Sequence, residues 1–456
     1  MTKPWQHLWQ RLRFGEAWQP LDWGTLGLAV LLTVAIGVTL WMGDRTQPVV
    51  RHFSWEGRTV RAQDRFFVLE FNRPMNRESV QANLKIEPEL PGKFSWSGLR
   101  MAYTPLAPAP YGQTFTLSLA NAFDRFAAET GEARAIAPFT GRFTTPPPAF
   151  LYVDRDGRLV YYDLTTQQSR AVTTGSVVDF KPMGDGQRAI VAIEGEQGPL
   201  DRRLYEVSLA GGEPQLRIDS GDFQNLKFDV SPDGNILLVQ RLNLKQPGQY
   251  GLWAQQGDTL KPLNNQPGGD FVITPDSESV AIAQGEGIAV LPLVPDAKPL
   301  DFLPQFGLVL DFGRSGRRAA AIRFNKDFSR SLFVLDDTGN QTEVARLKGS
   351  ILAAQFHPTE TVLYALLAEA VETETTYREE PYLVAFDLAT KTAKRLVDLT
   401  GRQSPRLSVA PDGRGLLLDT GTPRTADGPP QSILHLDLTT NQWQPLVLGK
   451  HPQWMP

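Results

Sequence analysis

His451-Pro452-Gln453-Trp454-Met455-Pro456 reads as the first strand of a repeat whose remaining strands stand at the far end of the same array. Those strands are Phe150-Leu151-Tyr152-Val153, Leu159-Val160-Tyr161-Tyr162-Asp163-Leu164 and Arg170-Ala171-Val172-Thr173, and they lack an opening strand of their own. Between the two ends one tight turn recurs, as Lys181-Pro182-Met183-Gly184-Asp185-Gly186, Ser231-Pro232-Asp233-Gly234, Thr274-Pro275-Asp276-Ser277, Gly313-Arg314-Ser315-Gly316, His357-Pro358-Thr359-Glu360 and Ala410-Pro411-Asp412-Gly413. Pro presets φ, and Asp-Gly supplies the left-handed positions that a tight strand connection needs. The spacing of about 45 residues is the length of a four-stranded blade. An apolar strand such as Ile236-Leu237-Leu238-Val239 follows each turn. The turns imply six complete units, and the leftover strands make a seventh, closed three strands to one with Pro452, Trp454 and Pro456 at the seam. Closure removes the sheet edges that would otherwise aggregate. The expected fold is therefore all-β, with a seven-bladed β-propeller over 150–456 closed by the C-terminal strand.

The Ser/Thr/Ala-Pro-Asp-Gly turns, the Asp-Leu-Thr-Thr strand ends at Asp163 and Asp437 and the terminal Pro-x-Trp-x-Pro resemble TolB-like propellers, including WD40-like PD40 repeats. The likeness spans 150–456, although the turns at 313–316 and 357–360 lose the full Pro-Asp-Gly. Blade order assigns loops to faces: connections a to b lie on one rim, and connections b to c and d to a on the other. The insertions 194–203, 243–250, 368–381 and 421–431 all fall between b and c, so that rim is the expected interaction face. Its most charged loop carries Glu369, Glu372, Glu374, Glu379 and Glu380, broken by Arg378. Like charges so close repel, and a basic partner or a cation would offset that repulsion.

Ahead of the ring, residues 23–42 form about twenty positions without a charge, long enough at 1.5 Å per residue to cross a ~30 Å hydrocarbon core. Trp23 and Trp41 suit the headgroup level, and Asp44-Arg45 stops the run. The small residues of a cleavage site are missing around Trp41-Met42-Gly43, so an uncleaved transmembrane helix is expected. Residues 1–22 read as a short cytoplasmic tail, with Trp5, Leu8, Trp9 and Leu12 on one stripe. Positive charges flank both ends of the helix and do not set its orientation. Residues 49–145 alternate as short strands, the pattern of a β-sandwich. Phe71-Asn72-Arg73-Pro74-Met75-Asn76, Tyr103-Thr104-Pro105 and Phe143-Thr144-Thr145 resemble the bacterial SbsA-type Ig-like domain. That family implies a spacer or adhesion module of exported proteins, which favours an extracytoplasmic position. Residues 146–149 then form a stiff Pro-rich linker.

The chain has 456 residues, a net charge of −4 and no cysteine. Interspersed charges give no field for phosphate backbones, so no nucleic-acid partner is expected. Without cysteine there is neither a disulfide nor a thiolate nucleophile. The histidines at 7, 52, 357, 435 and 451 form no local ligand pair, and Asp154-Arg155-Asp156-Gly157 is a hairpin turn rather than a calcium loop. No catalytic, cofactor or metal residues are assigned. These readings converge on a non-enzymatic, single-pass protein of a bacterial membrane, its N-terminus cytoplasmic, presenting the ring on an Ig-like stalk to a protein or envelope partner. The alternatives are a glycan-acting hydrolase or lyase, and a small-ligand or sugar binder, each using the mouth of the ring.

Overall fold

The computed structural model describes residues 20–42, 46–125, 134–263, 268–285, 287–294, 298–372 and 376–456. It is all-β apart from α1 (Pro20–Met42) and α2 (Arg77–Asn83). The uncharged run forms α1, whose side chains are exposed at 23–38. Among the described residues no helix is long and apolar enough to cross a membrane, so the span expected over 23–42 gains no support from the fold. The tail stripe and Asp44-Arg45 lie outside the described residues.

Two compact units divide the chain. In the first (1–50, 71–83 and 119–139) Asn76 caps α2 by accepting the Ser79 amide at 2.9 Å. Asn72 accepts from Val49 N–H at 2.9 Å and donates to Gln47 O at 2.9 Å. Arg73 and Asp124, both buried, pair at 3.2 Å.

The second unit covers 51–70, 84–118 and 140–456. Residues around 50–144 form two sheets, with strand order Val50–Phe53, Phe67–Phe71, Arg100–Pro105, Gly92–Ser97 in one and Leu84–Glu87, Thr114–Leu119, Phe139–Thr144 in the other. Strict alternation turns Phe67 and Leu69 inward. Trp55 is 2% exposed, its ring 5.2 Å from Phe67 and 5.0 Å from Phe143, while Phe115 stacks on Phe143 at 4.9 Å. Trp55 thus belongs to the core.

From Ala149 onward four-stranded antiparallel sheets succeed one another, the repeat of a β-propeller. Their inner strands, called a, are Val177–Pro182, Phe223–Val230, Phe271–Ile273, Leu308–Phe312, Gly349–Phe356, Arg406–Val409 and Lys450–Trp454. The same backbone bond spans each a–b turn: Met183 to Arg188 O, Ser231 to Ile236 O, Thr274 to Ser279 O, Gly313 to Arg318 O, His357 to Val362 O and Ala410 to Gly415 O, all at 2.8–2.9 Å. Gly313-Arg314-Ser315-Gly316 has no proline yet makes the same turn, so backbone geometry rather than Pro defines it.

Lys450–Trp454 pairs antiparallel with Ala149–Val153, Trp454 opposite Phe150 and Lys450 opposite Val153. It touches Val177–Pro182 on one side and Arg406–Val409 on the other. Side chains on the inner strands fasten each sheet to the next. Gln453 donates to Phe180 O at 3.0 Å, Lys181 lies 3.6 Å from Asp229, and Lys227 donates to Asp270 and, at 2.8 Å, to Phe271 O. Farther round, Asp311 accepts the Phe356 amide at 2.8 Å, Gln355 accepts the Val409 amide at 2.8 Å, and Ser408 Oγ accepts the Trp454 amide at 3.2 Å. Between the sheets of Phe271–Ile273 and Leu308–Phe312 the junction is apolar, built on Ala281, Ile288, Phe306 and Val309.

Trp454 concentrates this fastening. It is 7% exposed, packs on Phe150 and donates through Nε1 to Ser408 O at 3.1 Å. Trp454→Ala is expected to cost about 3–5 kcal/mol through the cavity it leaves. A denaturant midpoint equal to that of the wild type would contradict the packing described.

Candidate functional site

The b–c rim is built differently from the loops expected there. Glu194 pairs with Arg202 and Gly195 with Gly198, so 194–203 is a tight hairpin. Likewise Ala368 pairs with Pro381, Glu369 with Glu380, Ala370 with Glu379 and Glu372 with Tyr377, which makes 368–381 an extension of strands Val362–Glu372 and Tyr377–Asp387. Charged residues on both faces hid the strand period. Glu374 lies outside the described residues. The carboxylates are also less repulsive than their spacing implies. Glu380 accepts from Arg424 at 2.8 Å, Arg378 at 3.1 Å and the Gly401 amide at 2.8 Å. Burial pushes the Glu380 carboxyl up, but the Gly401 amide and Arg424 hold it below its ordinary value. Glu379 accepts from Tyr377 Oη at 2.8 Å and Ser350 Oγ at 2.9 Å, and Glu369 lies 3.9 Å from Arg395.

The feature of this rim that sequence reading missed is hydrophobic. Leu200, Leu244, Phe324, Phe328 and Tyr377 are exposed at or beside b–c connections, and Phe328 is 93% exposed. Phe328 has φ 63°, a left-handed conformation that costs a bulky L residue about 1–2 kcal/mol. A fixed turn holds it there, with Asn325 donating to Ser329 O at 2.9 Å and Phe328 to Asn325 O at 3.1 Å. In the same turn, Asp327 accepts from Ser329 Oγ at 2.6 Å and Arg346 at 2.9 Å. These bonds, the serine's foremost, hold the Asp327 carboxyl down at about 2. The only sequence signal was Phe in a polar loop, Asn325-Lys326-Asp327-Phe328-Ser329.

The opposite, a–b rim surrounds a cavity of about 640 Å³. Pro232, Pro275, Pro358 and Pro411, one from each of four turns, wall it together with Phe312 and Phe356. Segment 61–65 borders it. Gln63 donates to Gly184 O at 2.7 Å, Arg65 donates to Arg314 O at 2.7 Å, and Arg314 in return donates to Ala62 O. Nearby, Tyr111 N–H donates to Asp412 at 3.0 Å, and its phenol, raised by burial, accepts the Ala62 amide at 3.2 Å. His357, on the cavity wall, bonds Thr359 Oγ1 through Nδ1 at 2.7 Å and Gly413 O through Nε2 at 3.0 Å. Burial lowers its pKa.

Asp311 lines the same cavity, and burial pushes its carboxyl up to about 7. Aligned on the a–b turns, Asp311 and Asp229 stand at the same place, two residues before Gly313 and Ser231, a match visible in the sequence once the strands are aligned. Asp154 holds its hairpin turn by accepting the amides of Asp156 and Arg158, both at 2.9 Å. Among the described residues no His, Cys, Asp and Glu group could hold a metal ion.

No family model matches the chain, nor does any curated protein. Solved structures do resemble it. TolB from Acinetobacter baumannii is 11% identical, with 89% of this chain and 88% of that one covered at a TM-score of 0.41. The periplasmic gluconolactonase of Pseudomonas aeruginosa is 13% identical, with 68% and 99% covered at 0.45. Oligogalacturonate lyase from Vibrio parahaemolyticus is 13% identical, with 60% and 88% covered at 0.45. Likenesses this distant carry no statement about activity.

Two outcomes follow from the rim geometry. Phe328→Gly removes a left-handed strain and almost no packing, so it is expected to raise stability by about 1 kcal/mol in chemical unfolding. A loss of stability would mean the ring packs. For Asp311, a folded pKa above the unfolded value of 3.8 makes its contribution fully present at low pH and lost as pH rises towards about 7. Asp311→Asn keeps the acceptor for Phe356, so the variant should gain on the wild type progressively between pH 4 and 7 and hold that margin above. Parallel stability profiles would contradict the burial of this carboxyl.

Proposed function

We propose that this protein is a non-enzymatic interaction protein, a TolB-like propeller of seven blades closed by its C-terminal strand at Pro452, Trp454 and Pro456. An Ig-like domain of the SbsA type carries the ring, and residues 23–42 tether it to a bacterial membrane with the N-terminus cytoplasmic. The uncharged run of 23–42 supports the tether. The pairing of Lys450–Trp454 with Ala149–Val153 supports closure.

A protein or envelope partner docks on the b–c rim. The observation that carries this reading is Phe328, 93% exposed and held at a positive φ by a bonded turn. Strain kept without a packing return is a mark of function. Burying such a ring against a partner is worth about 1.5–3 kcal/mol, enough to anchor an interface. The hairpin bearing Glu369, Glu372, Arg378, Glu379 and Glu380 belongs to the next sheet and supplies a charged flank.

Photo-crosslinking in native membranes tests the reading. A benzophenone side chain at position 328 should capture a discrete partner, and one at Thr338, on a c–d connection, should not. Phe328→Gly should reduce capture by a crosslinker at Leu244 about tenfold or more, as loss of an anchor of that size implies. Equal capture from 328 and 338, or none from either, would remove the rim from the proposal.

A further inference from the structure

We propose that the cavity at the a–b mouth is a binding site for an organic cation, an ammonium on an apolar stem, with Asp311 as its counter-ion. This inference is independent of the b–c rim and rests on a comparison the chain makes within itself. Two inner strands carry an Asp at the equivalent place, Asp229 and Asp311, each two residues before the residue whose amide closes the a–b turn, Ser231 and Gly313. Asp229 lies 3.6 Å from Lys181, which holds that same place on the preceding inner strand, whereas the strand preceding Asp311 carries Val272 there. Asp311 has no basic side chain within ion-pair distance among the described residues; it accepts the Phe356 amide. Asp229 is therefore neutralised by a cation of the chain, and Asp311 faces the cavity without one.

Among the other charged groups lining that cavity, two guanidiniums and two carboxylates balance in number, which leaves Asp311 to set its sign. Arg65 and Arg314 stand on its wall, but each donates to a backbone carbonyl of the other's segment, Arg314 O and Ala62 O. Asp233 and Asp276 are bound into their own turns, through Ser231 Oγ at 2.6 Å and Thr274 Oγ1 at 2.5 Å, and still add negative charge to the wall. His357 is held by Thr359 and Gly413, and burial disfavours its charged form. Glu360, from the neighbouring a–b turn, raises the Asp311 carboxyl further. An incoming ammonium would meet a carboxyl that gains from ionising beside it, while prolines and phenylalanines cover its stem. A volume of about 640 Å³ is within the range of small-ligand pockets.

The shared chemistry could come from a free polyamine or from a lysine side chain of a polypeptide, and titration calorimetry on the detergent-solubilised full chain at pH 8 distinguishes them. One arm uses cadaverine against pentane-1,5-diol. The other uses acetyl-Ala-Lys-Ala-amide against its norleucine counterpart. In at least one arm the cation should bind about 10- to 100-fold more tightly than its neutral isostere, the range of a charged hydrogen bond. The arm with the greater preference identifies the source. Asp311→Asn should abolish the preference. A neutral isostere that binds as tightly in both arms, or a preference that survives Asp311→Asn, overturns the site. Should that variant fold poorly, the carboxyl ¹³C resonance of Asp311 in the wild type gives the same answer. Its titration midpoint, about 7 without ligand, should fall as cadaverine or the lysine peptide saturates, and a midpoint unmoved by both overturns the proposal.

Discussion

Every four-stranded sheet of this chain must find something for its inner strand to lean on, and the pairing of Lys450–Trp454 with Ala149–Val153 is the contact on which the others depend. Without it Ala149–Val153 has an open edge, and Gln453 and Trp454 cannot bond Phe180 and Ser408. The fastening is made of single hydrogen bonds and ion pairs, each worth about 0.5–1.5 kcal/mol or a little more where charge assists. They act together because each joins neighbouring inner strands. The pairing also joins the two extremes of the repeat array, and such non-local contacts make folding slow, since local sheets must form before it can.

Charge is sorted by position. On the inner strands Lys181, Lys227 and Arg406 stand opposite aspartates and serve as links between sheets. On the b–c rim, Arg330, Arg346, Arg395 and Arg424 meet Glu379, Asp327, Glu369 and Glu380, bracing hairpins that project outward. Hydrophobic side chains left uncovered on that rim are therefore mounted on stiff supports. Stiffness lowers the ordering cost of binding, which is the usual benefit of preorganisation.

Much of the architecture was legible because its signals are local. Pro232-Asp233-Gly234 and Pro411-Asp412-Gly413 fix their own dihedrals, so the four-stranded repeat could be read turn by turn. Phe67 and Leu69 could be assigned to a buried face from alternation alone. The hairpin at 368–381 could not, because Glu369, Glu372, Glu379 and Glu380 mask the strand period and only the register reveals it. Nor could the pairing of Asp229 with Lys181, whose partners lie on different sheets and leave no mark in either's neighbourhood. Phe328 was invisible for another reason: its exposure and its positive φ belong to the folded turn, and a lone Phe in a polar loop states neither.

The reciprocal bonds between Arg65 and Arg314 have a mechanical consequence. The strands of the second unit that precede residue 145 reach the propeller sheets covalently through residues 146–148, and again at the mouth through Gln63, Arg65 and Arg314. Gly112 adds a brace to the linker by donating to Pro146 O at 2.7 Å. A body pinned at two separated points cannot swing as it would on one hinge. Tension applied along the chain between these strands and the propeller sheets is then shared between the covalent strap and a polar clasp.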